Sequence, residues 1–271
     1  MRQTVLLLSL CFLTASLISN QTRASDLEKE KRWQEQIVES LMVGEAVELT
    51  LTGKSEKILG LYTPATAKSK QGGAILLHGI GAHPNWPDVI YPLRTELPEH
   101  GWATLSIQMP ILVNDAAPAK YIPLFDEVSA RIEAAISFLK AKNINNIVLI
   151  GHSMGAAMGS YYLSITPKPA IQAFVGIGMG LSKDDPKMDT PTTLAKIKIP
   201  VLDLYGSQDL GSVLDSVERR GNAGSLAGNP YYQQLRIIGA DHFFRNMDAE
   251  LIKRVRGWLK HYASGVELPL K

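Results

Sequence analysis

Short apolar runs rich in β-branched residues alternate along the chain with segments whose apolar positions recur every three or four residues. The runs predict buried strands at residues 74–78 and 147–150, and further strands follow at 103–109, 171–176, 200–205 and 233–238. The periodic segments predict helices at about 88–100, 125–142, 154–165 and 249–262, with Asp88 as N-cap of the first. In residues 125–142 the stripe is Val128, Ile132, Ala135, Ile136 and Leu139. Residues 47–52 and 57–62 flank the polar turn 53–56 and predict a β-hairpin. Ahead of them, residues 26–43 predict a charged amphipathic helix, with Trp33, Ile37 and Leu41 spaced by four, that packs across the domain as an extension. Stretches 110–122, 178–198 and 221–230 read as loops. Strands alternating with helices in this way require a doubly wound, mostly parallel sheet with helices on both faces, an α/β architecture.

The first 24 residues break this pattern. Arg2 precedes an apolar run from Val5 to Leu13, and polar residues follow up to Ala24, as in a secretory signal peptide cleaved after Thr22-Arg-Ala24. The run is short for a membrane span, which leaves an uncleaved amino-terminal anchor as the alternative. Leu10 in place of a small residue before Cys11 speaks against a lipoprotein. The expected division is therefore a leader at 1–24, a helical extension at 25–46 and a main domain at 47–271. Loss of the leader removes the one cysteine together with Arg2 and Arg23, leaving 26 of the 28 basic residues against 26 acidic ones. A neutral, cysteine-free exported chain suits the periplasm or secretion and has no disulfide or zinc–thiolate site. With no basic excess it is not expected to bind nucleic acid, and its mixed charges argue against strong membrane association. No phosphate-binding loop or metal-ligand cluster is visible, so no cofactor and no metal is expected.

The chemistry concentrates at Gly151-His-Ser-Met-Gly155, where a strand ends and an Ala/Gly-rich helix begins. A serine in a sharp strand-to-helix turn has room only if glycines stand two residues to either side, here Gly151 and Gly155, and the turn lifts the Ser153 hydroxyl clear of the sheet. The helix dipole then points positive charge at the reacting centre. A serine hydroxyl needs a base. His78 and His152 are occupied in the strand-end turns, His100 precedes a strand, His261 lies on the last helix, and His83 reads as a surface loop residue. His242, just past the last strand, fits the base. Asp209, after the strand at 200–205, fits the acid that orients it, and the order Ser–Asp–His suits such a sheet. Asp184 is the runner-up, a helix N-cap is the other reading of Asp209, Asp203 pairs locally inside its strand, and Asp241 cannot fold back on its neighbour's ring. The amides of Met154 and Ile80 are the candidate oxyanion donors, with Gly79 and Gly81 allowing close backbone approach.

With the His78-Gly turn, Gly-His-Ser-Met-Gly, Gly206-Ser-Gln-Asp209 and Ala240-Asp-His242 in place, the chain resembles the α/β-hydrolase superfamily over residues 57–262. The run from His78 to Ile90, with Gly101 to Pro110, is similar to a poorly characterised family of exported proteobacterial hydrolase-like proteins. The resemblance implies the α/β-hydrolase fold and a Ser–His–Asp triad, not a substrate. Many such relatives carry Asp-x-x-Gly-x-Gly after the strand at 103–109, where this chain has Met109-Pro-Ile-Leu-Val-Asn, so the pocket wall differs. The short segment between the strands at 171–176 and 200–205 leaves no space for a large cap domain. The expected activity is cleavage of a small acyl substrate, an ester before a thioester or amide. Ile111, Leu112, Val113, Met179 and Leu181 are available either for an apolar acyl site or for packing. A non-catalytic binding protein on the same fold, or an envelope protein docking through residues 26–43, is the alternative.

Overall fold

The computed structural model describes residues 25–53, 55–180, 182 and 185–265; the expected leader lies outside them. The predicted amino-terminal helix is α1 (Leu27–Ser40), capped by the Asp26 carboxylate, which accepts from Lys29 N. Its Trp33 and Ile37, with Leu41 just past its end, pack on Leu59 and Leu61 of the sheet. The hairpin follows as β1 (Glu45–Thr50) and β2 (Lys57–Thr63), which pair antiparallel.

The remaining strands are β3 (Gly72–Leu77), β4 (Trp102–Ile107), β5 (Ile147–His152), β6 (Ile171–Ile177), β7 (Val201–Gln208) and β8 (Tyr232–Asp241). They form one eight-stranded sheet in the order β1-β2-β4-β3-β5-β6-β7-β8, parallel from β4 to β8. Every residue of β3, β4 and β5 is buried, which is why these segments read as unbroken apolar runs. Their residues still sort by side. Ile75, Leu77 and Leu149 join the core under α3 (Phe125–Ala141) and α4 (Met154–Ile165). Ala74, Leu76 and Val148 join the core under α2 (Ile90–Glu96) and α8 (Asp248–Tyr262). The architecture is thus the doubly wound α/β-hydrolase fold. Between β6 and β7 the one described helix is the short α5 (Thr190–Leu194), and the described residues form no large cap. Among the described residues no helix is long and apolar enough to cross a membrane.

Three local expectations are corrected. Asp88 does not cap α2: the helix starts two residues later, behind Val89 at φ 62°, because Asp88 and Trp86 carbonyls accept from Ile90 N and Tyr91 N in a tight preceding turn. The expected loop at 221–230 is mostly helix: α7 (Val217–Leu226) follows the single turn α6 (Gly211–Leu214). Its glycines signal close packing, since a Cβ on Gly224 would collide with the Tyr232 ring. Asp203 does not pair locally. Its buried Oδ2 accepts from Arg220 Nε of α7 at 2.8 Å, Tyr232 Oη at 2.8 Å and Gln234 Nε2 at 2.9 Å. This network ties β7, the strand leading to Asp209, to both α7 and β8.

Candidate active site

Ser153 occupies the turn between β5 and α4 with φ 55° and ψ −120°, a conformation that L-residues rarely adopt and that the surrounding structure must enforce. Its N–H donates to Ile177 O of β6 at 2.8 Å. A Cβ on Gly155 would collide with the carbonyl oxygens of Leu77 and His78, and one on Gly151 would stand 2.6 Å from Ala156 Cα. The two glycines thus let α4 pack against the end of β3 while the chain reverses at the serine. Ser153 is half-buried, and its hydroxyl has no hydrogen-bond partner among the described residues. It stands at the head of the twelve-residue α4, where the positive end of the helix dipole lies.

Asp209 and His242 meet for a reason written in the sheet register. Gln208 of β7 pairs with Asp241 of β8, so the next residue on each strand arrives at the same point beyond the carboxyl edge. Asp209 Oδ1 accepts from His242 Nδ1 at 2.6 Å, with Asp209 7% and His242 5% exposed. The carboxylate also accepts from Leu210 N at 2.8 Å and Gly206 N at 3.2 Å. Burial alone would raise the Asp209 pKa. The hydrogen bond and charge of His242, with the two amides, outweigh it and hold the carboxyl below the usual aspartate range. Asp241 serves the turn instead, accepting from the amides of Phe243 and Arg245. Leu210, not Asp209, occupies the N-cap position of α6. Asp184 and Leu181 lie outside the described residues.

Two further histidines support this edge, and sequence reasoning assigned them no more than local turns. His152 Nε2 donates to the His242 carbonyl at 2.9 Å, and the two rings lie 4.9 Å apart. His78 Nε2 accepts from Met109 N at 2.9 Å, which places the proton on Nδ1, facing Gly79 O at 3.0 Å. The His78 contact requires a neutral ring, because a protonated Nε2 could not accept from Met109 N. Burial lowers the His78 pKa to about 3 and that of His152 to about 4, from 6.5. Because the folded values lie below the unfolded one, their stabilisation is complete above pH 6.5 and is lost as pH falls toward 4. Between pH 7 and pH 5 the two together should remove on the order of 3 kcal/mol of unfolding free energy. Chemical denaturation at both pH values checks this, and equal stabilities would contradict it.

The loop after β3 passes against the serine: a Cβ on Gly79 would stand 3.2 Å from Ser153 Cβ. Among the described residues neither Ile80 N nor Met154 N donates a hydrogen bond, so both amides are free to donate one. Ile80 and Leu210 are 37% and 50% exposed, placing apolar side chains beside Gly79 and Asp209. Of the apolar loop residues left open between an acyl site and packing, Ile111 and Met179 have no exposed surface and belong to the core, Leu112 packs against it, and Val113 is exposed. His83 is half-buried rather than fully exposed. Trp33 of α1 covers it, and its ring lies between Trp33 and Trp86 with centroids 5.1 and 5.3 Å away. Among the described residues no group of three His, Cys, Asp or Glu side chains gathers to hold a metal.

Solved structures share this architecture at low sequence identity. The dienelactone hydrolase of Anabaena variabilis superposes with a TM-score of 0.62 at 19% identity, covering 81% of this chain and 97% of that one. For the Pyrococcus furiosus esterase Pf2001 the values are 0.63 and 18%, over 81% and 93%. For Est1E of Butyrivibrio proteoclasticus they are 0.60 and 17%, over 80% and 98%. No curated protein matches the chain. The model of a family described as "Protein of unknown function (DUF3530)" matches residues 4–124 and 123–261. The chain therefore belongs to the DUF3530 family, whose function is unknown, and carries it on an α/β-hydrolase fold.

Proposed function

We propose that the protein is a serine hydrolase that cleaves small carboxylic esters through an acyl-enzyme. The observation that supports this reading is a strained Ser153 at a helix head on the same sheet edge as the buried Asp209–His242 pair. Ser153 Oγ attacks the carbonyl carbon while His242 Nε2 takes its proton and then returns it to the departing alkoxide. Asp209, bound to Nδ1, holds the ring in the tautomer that leaves Nε2 free as base and stabilises the imidazolium. The oxyanion is received by Met154 N and Ile80 N, and loss of one such donor costs roughly 3 kcal/mol in the transition state. Water then repeats the sequence on the acyl-enzyme, with His242 again as base.

An ester is preferred to a thioester or amide because neighbours of the same fold include esterases and a dienelactone hydrolase. Ile80 and Leu210 suit an apolar acyl or alcohol group. The sequence of residues 1–24 supports action in the periplasm or outside the cell. Assay of the purified protein on p-nitrophenyl esters of increasing acyl length tests the proposal, with saturable turnover expected on at least one. Background rates on all of them, with the fold intact, would favour a non-catalytic binding role.

A further inference from the structure

We propose that cleavage between Ala24 and Ser25 creates an N-terminal ammonium that completes a buried ion cluster joining α1 to α3. Ser25 is buried, its N donates to Glu127 Oε1 and its Oγ to Glu127 Oε2, both at 2.9 Å. Arg131 grips Glu30 with both terminal nitrogens, at 2.9 and 3.0 Å, and Nη2 also reaches Glu127 Oε2 at 3.0 Å and Ser25 Oγ at 2.9 Å. The Arg131, Glu30 and Glu127 side chains are 1%, 8% and 20% exposed.

Among the described residues two carboxylates thus share one guanidinium, one positive charge short of balance. A buried charge without compensation is strongly destabilising. Lys29 does not supply it, because its Nζ is spent on Leu112 O and Asn114 Oδ1. Burial raises the Glu30 pKa, Arg131 offsets this only in part, and the charge of Glu127 adds to the rise. The Ser25 nitrogen already touches Glu127 and becomes a cation when it is the first atom of the chain. Water adds across the Ala24–Ser25 peptide bond, leaving a carboxylate on Ala24 and an ammonium on Ser25. An export endopeptidase that accepts small residues at Thr22 and Ala24 would perform this step. Arg131 Nη1 also donates to Gln108 O at 3.0 Å, and Met109 N donates to His78. The processed terminus is thereby anchored to the segment behind the Gly79 turn. The inference rests on the leader and not on the hydrolase reading.

The test uses the full chain, expressed with its leader in a bacterial host and purified from the envelope or medium. Its intact mass should correspond to a first residue Ser25; any other first residue overturns the proposal. A second full chain carries one alanine inserted between Ala24 and Ser25, and its processed product, identified by mass, displaces the ammonium. That product should melt lower than the unaltered one. Glu127→Gln should lower the Tm of the Ser25 product by roughly 5 °C and that of the longer product by less than half as much. Equal losses in the two products, or equal melting of the two without Glu127→Gln, would overturn it.

Discussion

Ser153→Ala is expected to lower ester turnover by roughly 10⁵-fold or more, with little change in melting temperature. Alanine keeps the Cβ that the turn already accommodates at φ 55°, so backbone strain and the packing of α4 on β3 persist. What is lost is the attacking oxygen. The remaining donors and the bound geometry supply only the small acceleration that survives removal of a nucleophile. The measurement is kcat on the best p-nitrophenyl ester. A residual rate above one part in a hundred would mean that the attacking group is elsewhere.

Asp209→Asn is expected to reduce kcat by roughly 10⁴-fold while KM changes little. The asparagine fits the same space, but its amide group turned toward His242 Nδ1 can donate where the carboxylate accepted at 2.6 Å. The imidazole then carries its proton on Nε2 and presents no base to Ser153. The alternative amide orientation restores an acceptor but places an N–H against Gly206 N, which already donates to Asp209 Oδ2. Both orientations also lose the negative charge that stabilises the imidazolium. A rate within tenfold of the unsubstituted protein would transfer the role to another acid, with Asp184 the first to test.

The sheet was legible because its central strands are buried on both faces, which forces apolar runs such as Ala74–Leu77 and Ile147–Ile150. The candidates Ser153 and Asp209 were legible because each follows such a run, and His242 because it follows the last strand at the same edge, although β8 is an edge strand with a mixed burial pattern. The unforeseen features depend on contacts distant in sequence. Arg220 meets Asp203 only because α7 returns over β7, and the glycines that permit this approach read locally as a loop. His83 is covered by Trp33 from the amino-terminal helix, which no pattern within its own loop records. Likewise, His152 bonds a carbonyl ninety residues away, and its position immediately before Ser153 was the one available signal. Ile111 and Met179 are apolar loop residues in the sequence, and their spacing alone does not separate a pocket wall from core packing.

Covalent labelling with a fluorophosphonate, followed by peptide mapping, reads the activation of Ser153 directly. One equivalent is expected at Ser153, none in Ser153→Ala, and much slower labelling in His242→Ala. Folded protein that takes up no label, or takes it up at another residue, would contradict an activated nucleophile at Ser153.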